Sequence, residues 1–484
     1  MTAPSLVWFR EDLRIADNPA LTAAAESGLP VLCVWVMDDD SPEARPLGGA
    51  SRWWLHHSLA RLSESLGAIG GELHLARGPA RQVIPQLVSA SGSRTVYWNR
   101  RYSGEREIDD AIQSALQATG VTVQTFNARL MLEPGAVTTL SGGIHRVFTP
   151  YLKASLKLGT VPRPLPAPER LIAGRWPADP SSGAITLDAL RLLPRTPDWA
   201  GGLRETWVPG EAGATARLTR FIESALPGYA LGRDRPDHDA TSRLSPHLRF
   251  GEISPRQILA AASDRASDAI ASDDLARLRT ELAWRDFSHQ VLSLNPDIAS
   301  RNLSPNFDAM PWRDAPADLA AWQRGRSGYP LVDAGMRQLW ATGFMHNRVR
   351  MVVGSFLVKH LLIDWREGER WFWDTLVDAD PANNAASWQW VAGSGIDASP
   401  YYRVFNPITQ GERFDPDGVY VARWVPELAG LPKGVIHRPW EASQPMLDSA
   451  GITLGDTYPL PIIAHDDGRR RALEAFEHVK RRPG

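Results

Sequence analysis

A change of period limits this chain more than any other feature. Between residues 5 and 126, short apolar runs alternate with helical patterns. The runs are Leu6–Phe9, Val31–Met37, Leu73–Ala76, Thr95–Trp98 and Val121–Phe126; the helical patterns lie near Pro19–Ser27, Ser51–Leu66, Pro79–Ser89 and Glu105–Ala118. Such runs read as buried strands, and strand–helix alternation builds a parallel sheet covered on both faces. After about Gly210 the strand signal nearly vanishes. Helical patterns take over at Ala212–Ala225, Pro255–Asp264, Asp274–Leu294, Asp333–Thr342, Met345–Asp364, Glu367–Leu376 and Asp467–Lys480. Between these regions 11 prolines fall from Pro134 to Pro209, with PRPLPAPE at 162–169. That texture predicts an extended connector laid over a surface. The expected fold is a Rossmann-like α/β domain (1–127), an interdomain connector (128–209) and a large all-α domain (210–484).

Composition removes several function classes. There are 53 Lys+Arg against 55 Asp+Glu, so no global basic field draws the chain to nucleic acid and any anion site must be local. Five of the 53 cations are Lys, so that site is an arginine site, forked and suited to phosphate. The one cysteine, Cys33, excludes a disulfide framework and a four-cysteine cluster. It reads as a small core residue. The start, MTAPSLVWFREDLR, lacks an apolar secretory stretch, and no run of 18 apolar residues predicts a membrane span. A cytoplasmic monomer with no obligate protein partner is expected. GxGxxG and GxxxxGK[ST] are absent at strand ends, which argues against a standard dinucleotide or P-loop site. Tryptophan is plentiful, at 19 residues, although bulk packing accounts for many aromatics.

Four segments carry polar chemistry. Glu281, Trp284 and Arg285 share one helical face at i, i+3, i+4. They read either as a surface Glu–Arg pair beside a core Trp or as a pocket wall for a planar polar ligand. In GFMHNRVRM (343–351), Arg348 and Arg350 point to different sides, one toward phosphate and one toward an internal carboxylate, unless both are solvated. In LVDADPANNAASWQWVAGSGIDASPYYRVFNP (376–407), Asp378 and Asp380 precede Pro381 in a tight loop that opens a helix. As a metal site this DxD lacks a third ligand at suitable spacing, and no metal is expected. Tyr229 and the run Thr241–Ser245 offer hydroxyls and N–H groups ahead of a helix, a phosphate-cradling arrangement.

These segments, in this order, resemble the DNA photolyase/cryptochrome family. The resemblance rests on WFREDLRIADN (8–18), TSRLSPHL (241–248), ELAWRDF (281–287), GYPLVDAGMRQLWATGFMHNRVRM (328–351), HLLIDWREGE (360–369) and 376–407, and it spans essentially the whole chain. It implies FAD bound without a covalent link in the helical domain. Tyr229, Thr241, Ser242, Leu244 and Ser245 would hold the diphosphate. Arg285 and Asn347 would lie beside the flavin, Asp378 and Asp380 would bond its ring and ribityl side, and Arg350 would pair with Asp378. Asn384 would lie at N5, where a neutral amide can bond a reduced anionic ring without adding charge.

The resemblance also implies light-driven repair of UV-damaged DNA. Excited FADH⁻ would pass an electron to a flipped-out cyclobutane pyrimidine dimer, two carbon–carbon bonds would break, and the electron would return. Trp284 and Trp390 would stack on the dimer, whose poor pairing makes extrusion cheap. Glu281 would face the lesion, with Asn347 beside it. Arg233, Arg348 and Arg403 would meet the DNA backbone. Trp388, Trp365 and Trp312 match the family's electron-carrying indoles. Met351 stands where (6–4) photolyases place a proton-donating His.

GGASRWWLHHSL (48–59) and VYWNRRYSGE (96–105) are similar to class III bacterial photolyases, relatives of plant cryptochromes. That implies a methenyltetrahydrofolate antenna, with Trp53 or Trp54 stacked on the pterin and Glu105 accepting from it, unless the two Trp only pack helix on sheet. His247 stands where relatives often have Tyr, Ser387 where Gly is common, and Pro381 follows the second Asp. The alternatives are a signalling cryptochrome, a (6–4) photolyase and a light-independent flavoprotein or RNA-binding module. The intact lesion set, Asn384 and the absence of a tail beyond the last helical pattern favour repair.

Overall fold

The apolar runs form strands β1 (Ser5–Phe9), β2 (Val31–Met37), β3 (Leu73–Arg77), β4 (Thr95–Asn99) and β5 (Thr122–Phe126). The structure is a computed structural model that describes residues 2–139, 141–159, 161–177, 183–265, 272–398 and 402–480. The strands make one parallel sheet in the order β3-β2-β1-β4-β5. Val7 of β1 lies opposite Cys33 of β2 and Tyr97 of β4. β1 and β2 are buried along their whole length, as runs without alternation must be in a doubly covered sheet. Leu6, Trp8, Leu32, Val34, Val96 and Trp98 pack with Ile84, Leu87, Ile108 and Ile112 from the helices Ala80–Ser91 and Arg106–Ala118.

The connector is tied down over this layer. Val31 N donates to Ile172 O (2.8 Å), Gly174 N to Val31 O (2.9 Å) and Ile185 N to Leu75 O (2.9 Å). A Cβ at position 174 would stand 2.7 Å from Leu32 N, so only glycine lets the backbones approach this closely. The motif at 8–18 is a buried polar clasp. The Arg14 guanidinium donates to Asp17 O (2.6 Å), Ala128 O (2.8 Å) and Gly251 O (2.8 Å). Asp12 accepts from Arg10 N (2.7 Å) and Asn99 Nδ2 (2.5 Å), and Asp17 pairs with Arg256 (2.9 Å). Buried charges persist only when paired in this way.

Compactness divides the chain otherwise than the expected breaks at 127 and 209. One unit takes the residues up to Pro227 with Ser242–Pro296 and Val377–Ala379; the other takes Gly228–Thr241, Asp297–Leu376 and the residues from Asp380 onward. The first unit claims the helices Ser245–Phe250, Pro255–Asp264 and Ser272–Leu294 because side chains such as Arg14 and Arg285 bind them to the sheet layer and connector.

The second unit is helical, with Pro330–Thr342, Asn347–Ser355, Trp365–Thr375, Pro381–Ala392, Pro407–Phe414 and His465–Lys480 as its main elements. The single helix expected at Met345–Asp364 is interrupted. It runs over Asn347–Ser355, widens to a π-helical turn at Phe356–His360, and ends where Leu362 takes φ +53°. Asp364 then caps the next helix, accepting from Arg366 N (2.9 Å). In that helix Gly368 makes room for the Trp388 ring: a Cβ there would stand 2.1 Å from Cη2.

Candidate cofactor and lesion site

The residues assigned to cofactor and lesion fall in both units, and each unit is described by itself. In the first, Ser245 opens the helix Ser245–Phe250, and its Oγ donates to Asp378 Oδ2 (2.6 Å). Leu244 N donates to Ser242 Oγ (3.3 Å). Arg249 donates to Ala379 O (2.6 Å) and pairs with Glu11, so the short Val377–Ala379 segment is held next to the hydroxyl-rich turn. Arg285 is buried, donating to Arg129 O (2.6 Å) and Leu248 O (3.3 Å). Its neighbour Asp286 accepts from Leu132 N (2.9 Å), and burial pushes its carboxyl up to about 7.

Glu281 pairs with Arg277 (3.0 Å), one turn earlier on its helix, and is part-exposed. Trp284 lies flat on Phe148, with ring centroids 3.4 Å apart and planes 10° from parallel. Phe287 meets Trp284 edge-on at 6.0 Å. One face of the Trp284 indole is thereby backed by protein.

The antenna expectation needs correction at two positions. Trp53 is 1% exposed and Trp54 0% exposed, so neither offers a face on which a pterin could lie. Trp54 Nε1 donates to buried Glu252 (2.9 Å), and its ring is surrounded by Trp207, His247 and Phe250. His247, the departure from Tyr, pairs with the same Glu252. An aromatic pair on a helix that covers a sheet packs inward because burying indole area outweighs leaving it wet. Glu105 is half-buried at the start of the helix Arg106–Ala118 and accepts from Ser103 Oγ.

In the second unit, Asp380 Oδ1 caps the helix Pro381–Ala392, accepting from Ala382 N (3.0 Å), Asn383 N (2.9 Å) and Asn383 Nδ2 (2.9 Å). Asn384 donates its Nδ2 to Glu369 Oε1 (2.9 Å) and Glu369 O (3.1 Å). Both acceptors fix the amide, so its carbonyl oxygen faces away from Glu369. Glu369 is 1% exposed and was missed by sequence reasoning, although it closes the quoted segment HLLIDWREGE.

Tyr229 is buried, with the Arg233 guanidinium 5.6 Å from its ring centre. Thr241 is half-buried and Asn347 exposed. Arg348 pairs with Asp234 (2.8 Å), lies over the Phe414 ring (4.3 Å) and has Nη1 3.8 Å from Met351 Sδ. Arg350 donates to Met345 O (2.7 Å) and lies over Phe344 (5.4 Å). Burial pushes the His346 imidazole down to about 4, and the neutral ring caps the helix Asn347–Ser355 by accepting from Arg348 N (3.2 Å) at Nδ1.

Trp388 is buried against Phe372 (5.0 Å) and Trp322 (6.3 Å), both edge-on, and its Nε1 has no hydrogen-bond partner among the described residues. Trp365 is buried and donates to Asn302 Oδ1 (2.9 Å). Trp312 is half-buried on a cluster of Phe307, Met310, Leu362, Ala475 and Val479. Trp390 donates to Asp397 O (3.0 Å), and Arg403 is exposed beside Phe405. Among the described residues no group of three or more His, Cys, Asp or Glu side chains could hold a metal. Nor does any described helix have the length and apolarity to cross a membrane.

The donor set suits FAD. In the first unit, hydroxyls and N–H groups at Ser242–Ser245 are of the kind that binds a diphosphate, and the Asp378 carboxylate of the kind that accepts from a ring N–H; in the second, the Asp380 carboxylate is of the kind that accepts from ribityl O–H groups. The anchored Asn384 amide matches a ring nitrogen. Residues 278–478 match the family described as the FAD binding domain of DNA photolyase, and residues 5–169 match DNA photolyase. The deoxyribodipyrimidine photo-lyase of Agrobacterium fabrum is 52% identical over 99% of both chains. Cryptochrome-1 of Arabidopsis thaliana is 37% identical over 98% of this chain and 70% of its own. The crystal structure of a bacterial class III photolyase from Agrobacterium tumefaciens superposes with a TM-score of 0.95 at 51% identity, covering 100% of this chain and 98% of that one. With the sheet, the helical unit and the donor set in place, the chain belongs to the DNA photolyase family, and FAD is its cofactor.

Proposed function

We propose that the protein is a deoxyribodipyrimidine photo-lyase, which splits cyclobutane pyrimidine dimers in UV-damaged DNA under blue or near-UV light. Met351 carries the reading. Its thioether, beside Arg348, has no proton to give. Cyclobutane splitting needs an electron in and an electron back, whereas (6–4) repair moves an oxygen and needs an acid at this place. Bound reduced FAD supplies that electron on excitation and recovers it.

The chain's own residues do the rest. Tyr229, Thr241, Ser242, Leu244, Ser245, Arg285, Asn347, Arg350, Asp378 and Asp380 bind the cofactor. Asn384, whose amide nitrogen is held by Glu369, would offer its carbonyl oxygen to a ring N–H of the bound flavin. Trp388, Trp365 and Trp312 relay electrons inward from the surface. Trp284 and Trp390 stack on the extruded dimer, with Glu281 beside it. Arg233, Arg348 and Arg403 hold phosphates. We further infer a methenyltetrahydrofolate antenna with Glu105 as an acceptor, and a cytoplasmic monomer.

The test is anaerobic blue-light treatment of a thymine-dimer oligonucleotide with reduced protein, beside a dark control and a (6–4) oligonucleotide. Loss of the cyclobutane dimer only in the light is expected. Survival of both lesions while the flavin still photoreduces would replace repair with the cryptochrome reading.

A further inference from the structure

An open groove of about 680 Å³ in the second unit lies between the segment from Tyr402 to Arg413 and the helix His465–Lys480. Four cations line it, Arg403, Arg413, Arg469 and Lys480, against one carboxylate, Glu477. One wall is aromatic: Tyr402 and Phe476 stack with centroids 4.3 Å apart and planes 6° from parallel. Both rings pack on the same cluster, Phe307, Met310, Leu362, Ala475 and Val479, that carries Trp312. The groove and Trp312 therefore share an apolar wall.

This juxtaposition has chemical content. Its volume is that of a small-molecule site. The Arg forks favour phosphate, and the Tyr402–Phe476 stack, whose outer faces lie under Lys359 (3.0 Å) and Lys480 (4.6 Å), offers its edges to the face of a planar ring. If Trp312 is the outer end of the indole relay, as proposed above, each inward electron leaves a hole there that an outside donor must fill. We propose that the groove is the docking site for that donor, a phosphate-bearing reduced nucleotide of the dihydronicotinamide class.

The electrons balance without a further reagent. A dihydronicotinamide gives one electron to the Trp312 radical cation, restoring neutral indole, and the donor radical cation loses its C4 proton to water. The resulting nicotinamide radical gives its second electron to a second Trp312 hole and leaves as oxidised nicotinamide. One donor thus fills two holes and releases one proton.

The test uses FAD-loaded protein, the Arg413→Glu/Arg469→Glu double variant and Trp312→Phe. Equilibrium dialysis measures binding of reduced nicotinamide adenine dinucleotide phosphate. Flash photolysis follows decay of the tryptophan radical with that nucleotide or with neutral dithiothreitol. Saturable binding is expected, and roughly tenfold loss in the double variant of both binding and nucleotide-driven decay, with the dithiothreitol response unchanged. Equal, non-saturating nucleotide responses in wild type and double variant overturn the proposal. So does a double variant that loses affinity for dimer DNA while keeping its nucleotide response, which makes the groove a DNA contact. Undiminished photoreduction in Trp312→Phe instead overturns the relay reading beneath it.

Discussion

Replacing Gly368 with alanine sets two opposed effects against each other. In mid-helix, Gly→Ala ordinarily stabilises by roughly 0.5–1 kcal/mol through backbone entropy. Here the new Cβ would stand 2.1, 2.5 and 2.6 Å from Cη2, Cζ3 and Cζ2 of Trp388. The indole has little room to retreat, because Phe372 (5.0 Å) and Trp322 (6.3 Å) meet it edge-on. Overpacking of a rigid ring costs about 1–3 kcal/mol, more than the entropy gain. Gly368→Ala should therefore lower Tm by up to about 2.5 °C and displace Trp388. The assays are thermal unfolding of FAD-loaded protein and the rate of flavin photoreduction. Both should fall together, while Ser387→Gly on the exposed side of the Trp388 helix leaves Tm within about a degree. An alanine variant with unchanged Tm and photoreduction rate would refute the argument that Trp388 is held in place by this contact.

Other outcomes follow from the same geometry. Glu369→Ala removes one of the two acceptors on the Asn384 amide, a hydrogen bond worth about 0.5–1.5 kcal/mol, and leaves Nδ2 held by the backbone carbonyl alone; the flavin potential, read by redox titration, should shift, and Glu369→Gln should restore it in part. Arg348→Ala should weaken dimer-DNA binding and reduce the slope of log K against log salt by about 0.9 in fluorescence anisotropy. Asp286 should make stability fall as pH rises. Burial holds its folded pKa near 7, above the unfolded value, so its contribution is full below about pH 4 and is lost by about pH 7. Asp286→Asn keeps an acceptor for Leu132 N and should flatten that slope by roughly 2.5 kcal/mol between pH 5 and pH 8, read as the change in Tm across that range.

Much of the fold is legible in the residues because the sheet is doubly covered. Val31–Met37 is apolar throughout, and the strand occupies those residues. The capping role of Asp380 follows from an acid before Pro381. What period cannot show is local crowding. The break at Phe356–His360 leaves the apolar pattern intact, so the stretch reads as one helix. Trp53 and Trp54 have the composition of a stacking site and the position of a core layer, and only burial separates those meanings. Glu369 and Phe148 act through neighbours distant in sequence, 15 residues away at Asn384 and far along the chain at Trp284. No spacing rule links them.

The clasp at Arg14 also bears on how the chain is made. One of its three carbonyl partners, Gly251 O, lies 237 residues further along the sequence. Vectorial synthesis at 5–20 residues per second delivers that partner roughly 10–50 s after the guanidinium emerges. Until then the nascent sheet layer carries an arginine made for burial with part of its acceptor set missing. The first unit is therefore a late-closing assembly, and truncation at residue 127 or 209 should yield an aggregation-prone fragment instead of a transferable cassette.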